Sequence, residues 1–201
     1  MARLLFGLVL MLAAAGFAGA QTAPPGQATA VFAGGCFWCV EADFDKVPGV
    51  ISTVSGYTGG KVVDPGYERV SAGGTGHTEA VEVVYDPAKV SYQQLLAFFW
   101  RHIDPTVRNA QFCDRGDQYR TAIFVANEDE RKLAEASKKQ VEAELKKPVF
   151  TQIAAAGAFY KAEEYHQDFY KKNPTKYKFY RWNCGRDQRI EQLWGAPKGN
   201  S

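Results

Sequence analysis

No stretch constrains this chain more than Gly34-Gly35-Cys36-Phe37-Trp38-Cys39-Val40-Glu41. Ahead of it, Ala30-Val31-Phe32-Ala33 is a short apolar run suited to a buried strand. Behind it, Val40 to Val47 reads as a helix with Val40, Phe44 and Val47 on one side. Two glycines between strand and helix let the backbone turn sharply and leave room for a close approach. Cys36 therefore falls at or just before a helix N-terminus. Unpaired N–H groups and the helix dipole favour an anion there, so its thiol is expected to ionise more easily than a free one. Phe37 and Trp38 set two large aromatics beside it, which suits a reaction centre for a small, partly apolar group. The plainer alternative is a buried structural cysteine or half of a disulfide, which seldom needs a Gly-Gly turn in front of it.

The chain has 201 residues, and its first twenty read as an address rather than as part of the fold. Arg3 is basic, Leu4 to Ala15 is apolar but short for a membrane span, and Ala18-Gly19-Ala20 fits a cleavage site. A secretory signal peptide over 1–20 is expected, with cleavage before Gln21 and an uncleaved anchor as the alternative. Export to a periplasmic or extracellular space follows, with no membrane association after cleavage. Residues 21–29, polar and broken by Pro24 and Pro25, read as a linker. Residues 30–201 suit a single domain with a sizeable core.

A formal charge of +2 gives no reason to expect a nucleic-acid partner. The lysine pairs near residue 140 alternate with Glu135, Glu142 and Glu144, as on a solvated helix face. Four cysteines in an oxidising compartment allow three disulfide pairings. A four-thiolate zinc site would need Cys113 and Cys184 to converge on Cys36-x-x-Cys39 through the tertiary fold, so no metal is expected.

Pro48-Gly49 marks a turn, Val50 to Val54 a second strand, and Gly59 to Gly76 a glycine-rich loop without periodicity. Glu79 to Tyr85 alternates so that Val81, Val83 and Tyr85 share a face with Glu79. That face should meet the core, which carries Glu79 inward and raises its affinity for a proton, as a general acid near neutral pH requires. The commoner fate of a strand-end carboxylate is to stay solvated. Ser91-x-x-Gln94 is a capping box that opens an amphipathic helix, and Asp104-Pro105 closes it. Thr106 to Gln118 is a polar loop, Thr121 to Val125 a strand, and Asn127 with Glu130 caps a charged helix that reaches Lys147. Val149 to Ala155 reads as a last strand and Ala162 to Lys172 as a short helix. The aromatic tail from Pro174, which carries Cys184, has no clear period and should pack irregularly over the domain.

Several separated motifs resemble one family in its own order. They are Gly35-Cys36-Phe37-Trp38, Gly56-Tyr57-Thr58-Gly59-Gly60, Gly76-His77-Thr78-Glu79-Ala80-Val81, Tyr85-Asp86-Pro87, Asp114-Arg115-Gly116-Asp117-Gln118-Tyr119-Arg120 and Ala162-Glu163-Glu164-Tyr165-His166-Gln167. Across nearly the whole mature chain the sequence is similar to the A-class peptide methionine sulfoxide reductases. The resemblance implies reduction of the S epimer of methionine sulfoxide, free or protein-bound, with no bound cofactor or metal. By position it implies Cys36 as nucleophile, Glu79 as proton donor, Tyr67 and Tyr119 as hydroxyls that hold the sulfoxide oxygen, Asp114 as a supporting carboxylate, and Phe37 and Trp38 as the methyl cage. A sulfenic acid on Cys36 would condense with a second thiol, and an external thioredoxin-type dithiol would regenerate the enzyme. Cys184 is favoured as the resolving cysteine, with Cys39 as its rival, and Cys113 is expected to be a small buried residue. Cys39 itself departs from the family's commoner glycine. The expected fold is α+β, a two-layer α/β sandwich with a mixed, mostly antiparallel sheet around a ferredoxin-like core, and the chain is expected to be a monomer.

Three other readings compete. A thioredoxin-like oxidoreductase would use Cys36 and Cys39 and need no Glu79. A cysteine hydrolase would need His77 or His166 as base, and neither has an evident orienting partner. A non-enzymatic exported module would staple its four cysteines into two disulfides.

Overall fold

A computed structural model describes residues 26–195. The predicted signal peptide over 1–20, and the linker as far as residue 25, lie outside the described residues. The linker ends earlier than residue 29, because strand β1 (Ala28–Gly34) starts at Ala28. The turn at Gly34-Gly35 leads into helix α1 (Phe37–Phe44), which begins and ends a few residues before the predicted span. Gly35 has φ +81, and a Cβ there would run into Gln111, so only glycine serves.

Strand β2 (Val50–Thr58) runs past the predicted stop at Val54. Gly56 stays within it because the backbone of Tyr160 and the ring of Phe159 press on the position where a Cβ would be. The loop after it holds a short helix, α2 (Tyr67–Ser71), followed by β3 (Thr78–Tyr85). Helix α3 (Tyr92–Arg101) has its capping box in place, with the Gln94 N–H donating to Ser91 Oγ and the Ser91 N–H to Gln94 Oε1. The loop after α3 folds into a small two-stranded ribbon, β4 (Ala110–Gln111) and β5 (Asp114–Arg115), and a 3-10 turn over Asp117–Tyr119. Strand β6 (Thr121–Val125), helix α4 (Glu128–Leu145) and strand β7 (Gln152–Ala155) follow.

Three predictions fail in the last third: the strand within 149–155 is not the last, because a further short one follows it. After β8 (Tyr160–Lys161), only α5 (Phe169–Lys172) of the expected 162–172 helix is helical. The tail is not irregular: it forms α6 (Pro174–Asn183), with Pro174 at its first position, and α7 (Arg186–Trp194). Gly185, with φ +65, breaks one helix from the next.

The main sheet has the order β7-β6-β1-β3-β2-β8, antiparallel throughout except for the parallel β6–β7 pair. It is mixed and mostly antiparallel, within a mixed α/β fold. Period-two alternation gives each strand two faces. Phe32, Val81, Val83, Ile123 and Val125 join α1, α3 and α4 side chains in the main core, where Phe32 stacks at 5.0 Å on both Phe44 and Phe99. The opposite face holds a smaller cluster, Ala33, Ala80, Ala122 and Phe124, flanked by Phe159. No helix among the described residues is long and apolar enough to cross a membrane. The topology puts the C-terminal end of central strand β1, with the start of α1, beside the first residues of β3. Cys36 and Glu79 sit at that corner.

Candidate active site

Cys36 is the N-cap residue of α1 and is 6% exposed. One residue on, the Phe37 N–H donates to Glu79 Oε2 at 3.0 Å. The first N–H of the helix therefore finds an acceptor as expected, but that acceptor is the Glu79 carboxyl and not the Cys36 sulfur. Alternation along β3 carries Glu79 inward beside the buried Val81 and Val83, and it is 3% exposed. Burial pushes its pKa up to about 8; the Phe37 hydrogen bond opposes this, and the charge of Asp114 adds to it.

The Cys36 thiol departs from expectation. Burial holds its pKa well above the ordinary value, helped by a hydrogen bond with Cys39 and by the carboxylates of Glu79 and Asp114. Desolvation and negative neighbours outweigh the helix dipole, because the first free N–H is already committed to Glu79. Cys39, 2% exposed and one turn along, moves the other way. Its hydrogen bond with Cys36 is the main cause, with the guanidiniums of Arg186 and Arg181 assisting against burial.

The two predicted hydroxyls face the same corner. Tyr67 opens α2, and its N–H donates to Glu163 Oε1 at 2.8 Å. Tyr119 ends the 3-10 turn, which Thr78 ties to β3 by donating to the Gln118 carbonyl at 2.9 Å. Burial raises the pKa of both phenols, Tyr67 to about 12, and the charges of Glu79, Cys36 and Asp114 add to the effect. Both therefore remain hydroxyl donors. Asp114, in β5, accepts a 2.6 Å hydrogen bond from the Tyr180 hydroxyl. The structure thus brings together Cys36, Glu79, Tyr67, Tyr119 and Asp114, which lie up to 83 positions apart along the chain.

Phe37 is buried and packs on Tyr57 and on the imidazole of His166, at 5.8 and 4.9 Å between centroids. Trp38 is half-buried and stacks on Phe169 at 3.7 Å, with the Tyr180 ring edge-on at 5.7 Å. Its indole N–H donates to His166 Nδ1 at 3.0 Å. That bond requires a lone pair on Nδ1, so the neutral ring carries its proton on Nε2. The site needs three residues that sequence reasoning did not assign to it: His166, Phe169 and Tyr180. Only the motif containing His166 gave any hint, and the aromatic tail offered no period from which to place Tyr180.

Neither histidine serves as a base for Cys36. His166 Nδ1 is taken by Trp38. His77 is buried, receives the Gly60 N–H on Nδ1, and bonds the Val62 carbonyl through Nε2. Cys113 also differs from expectation: it is exposed, and it forms a disulfide with Cys184. Those two sulfurs converge on each other and not on Cys36 and Cys39, which are both free thiols. The pairing arises because the β4–β5 ribbon brings Cys113 against the C-terminal end of α6.

A buried thiol beside a buried carboxyl of raised proton affinity, with phenols and aromatic rings alongside, is a setting suited to a cysteine-dependent oxidoreductase. The family model for peptide methionine sulfoxide reductase matches residues 28–198, and the chain belongs to that family. Among its relatives is the peptide methionine sulfoxide reductase MsrA of Ligilactobacillus salivarius, 55% identical over 168 residues, or 83% of this chain and 97% of that protein. Among solved structures, Mxr1 of Saccharomyces cerevisiae in reduced form matches with TM-score 0.73 at 31% identity, over 77% of this chain and 90% of its own. Methionine sulfoxide reductase A of Corynebacterium diphtheriae matches with TM-score 0.68 at 35% identity, over 75% and 77% respectively.

Proposed function

We propose that this protein reduces the S epimer of methionine sulfoxide to methionine through Cys36, with Glu79 as the acid. The observation that carries this is the buried corner where Glu79, anchored on the Phe37 N–H, stands beside the Cys36 thiol. The Phe37–Trp38 cage takes the methyl group, and the Tyr67 and Tyr119 hydroxyls donate to the sulfoxide oxygen. With Oε2 held by the backbone, Glu79 Oε1 carries the proton. As the Cys36 sulfur bonds to the sulfoxide sulfur, Glu79 protonates the oxygen, and its carboxylate recovers a proton from the thiol. Without that proton the developing oxyanion would be too poor a partner in the transfer. The oxygen passes to Cys36 as a sulfenic acid and methionine departs, leaving atoms and charge balanced.

Two cysteines compete to resolve the sulfenic acid. Cys184 is tied to Cys113, whereas Cys39 hydrogen-bonds the Cys36 sulfur, so we assign the first disulfide to Cys36–Cys39 with loss of water. A thioredoxin-type dithiol then restores the thiols. The yeast protein is described in complex with Trx2, a structure that this chain matches with TM-score 0.55 at 21% identity. No bound cofactor or metal enters the scheme. We read the four strands β6-β1-β3-β2 and the helices α1 and α3 as the ferredoxin-like core of a two-layer sandwich. The N-terminal residues argue for export, testable by N-terminal sequencing of the mature protein, and a monomer is expected on sizing.

Replacing Cys36 with Ser is expected to abolish turnover of a methionine sulfoxide peptide. Retained turnover would remove the reading.

A further inference from the structure

Cys113, Asp114 and Cys184 offer two sulfurs and a carboxylate oxygen that all lie within 4.8 Å of one another. The fold closes this group across 71 positions of sequence, by setting the β4–β5 ribbon against the end of α6. Cys113 Sγ stands 3.7 Å from Asp114 Oδ1. A tetrahedral Zn²⁺ with sulfur at about 2.3 Å and oxygen at about 2.0 Å separates those two ligands by about 3.5 Å. The spacing therefore suits a metal with little movement of either residue.

The two oxygens of Asp114 have separate duties. Oδ2 accepts the Tyr180 hydroxyl at 2.6 Å, and Oδ1 is the oxygen nearest the Cys113 sulfur. A ligating carboxylate is commonly oriented by such a hydrogen bond from outside the ligand set. Tyr180 also fixes Cys184, whose N–H donates to the Tyr180 carbonyl at 2.9 Å. One residue thus holds two of the three donors in place. Its own ring is braced edge-on against Trp38 at 5.7 Å. Cys113 is exposed while Asp114 and Cys184 are half-buried, which gives an ion a way in and a sheltered seat. The guanidinium of Arg186 lies over the Phe112 ring at 4.5 Å, beside the group, and offsets part of its negative charge. No third ligand completes a group of this kind around Cys36 and Cys39 among the described residues.

We propose that Cys113, Cys184 and Asp114 form a Zn²⁺ site when the cysteines are reduced, with water in the fourth position. In the disulfide the sulfurs have no thiolate to offer. An external dithiol or a phosphine supplies two electrons and is itself oxidised; the S–S bond breaks and, with two protons taken up, two thiols form. Zn²⁺ then displaces those two protons as two Zn–S bonds form, and Asp114 adds its oxygen. Metal uptake and disulfide formation exclude each other, so the ion holds this pair reduced and engages Asp114 while it is bound. The site stands apart from the reductase reading and needs no substrate.

The test uses Co²⁺ as a coloured probe and Zn²⁺ as its competitor. The full chain, reduced with a phosphine and then freed of it without air, is titrated with Co²⁺. One equivalent is expected to bind with thiolate charge-transfer absorption, to be displaced by Zn²⁺, and to be absent from the oxidised chain. Tyr180→Phe keeps all three ligands and is expected to bind about 10–100-fold more weakly. A Cys36→Ser, Cys39→Ser chain is expected to bind like wild type. Alkylation mapping of the reduced wild-type chain should show Cys113 and Cys184 protected by Zn²⁺, with Cys36 and Cys39 unchanged in reactivity. Protection of Cys36 and Cys39 instead, or no thiolate absorption from the reduced chain, overturns the site. The wild-type map decides the matter even if a variant does not fold.

Discussion

Residue 79 sets two demands against each other, because the carboxyl that chemistry needs protonated is also the one that folding must bury. Its pKa of about 8 stands well above the ordinary carboxylate value of 4.5. The unfolded chain therefore releases this proton first as pH rises. Folding stability contributed by residue 79 is fully present below about pH 4.5 and is lost as pH climbs to about 8. Glu79→Gln keeps an acceptor for the Phe37 N–H and cannot ionise. It is expected to melt higher than wild type at pH 8 and nearly level with it at pH 5, a contrast that thermal scans at both values would measure. Activity should move the opposite way. Single-turnover sulfenic acid formation in Glu79→Gln is expected to fall by about 10²–10⁴-fold. Wild-type kcat/KM is expected to fall along an alkaline limb above about pH 8 that is missing from the variant, and an unchanged limb would assign the acid to another group. Much at this scale was legible in the sequence. Period-two alternation placed Glu79 inward, and the Gly-Gly turn placed Cys36 at a helix start. The acidity of Cys36 was not legible, because it depends on Asp114 and Glu79, whose approach only the tertiary fold determines. His166 hid for a similar reason: its partner, Trp38, is 128 positions away.

Among the elements, α3 shows how far local rules reach. Its capping box satisfies backbone groups at both Ser91 and Gln94, and its buried stripe of Leu95, Leu96, Phe99 and Trp100 faces the sheet and α4. Ser91→Ala is expected to cost about 1 kcal/mol, read as a lower denaturant midpoint with an unchanged slope. The stripe repeats at helical spacing, so α3 could be read from one window of sequence. Helices α6 and α7 could not. Tyr177 and Tyr180 point inward while Phe179 and Trp182 are exposed, so aromatics occupy both faces and no apolar period survives. The inward stripe is charged instead, built from Arg181 and Arg186. The 162–172 segment misled in the other direction: it is rich in helix formers, but Gln167 there bonds the backbone of Ser55 through both ends of its amide, and Glu41 accepts the Asp168 N–H. These tertiary bonds hold the backbone out of a helix.

On the scale of the whole molecule, the C-terminal helices are fastened to the body by buried charge. Arg181 donates to both oxygens of Asp43 at 2.9 and 3.0 Å and also grips Asp187, while Arg186 reaches the carbonyls of Gly34 and His102. Asp43 is 4% exposed, so removing its main partner strands a charge. Arg181→Ala is expected to destabilise by about 3 kcal/mol, with Asp43→Asn in the same chain recovering part of the loss in a double-mutant cycle. Strict additivity would show that the two side chains do not act as a pair. Burial at residue 36 has a consequence for how the molecule survives its own chemistry. Ringed by carboxyls and kept as a thiol, the sulfur offers stray peroxides and alkylating agents almost nothing to react with while the pocket is empty. A sulfur kept in this form is expected to react slowly with such agents, so the repair protein would be spared much of the damage it corrects.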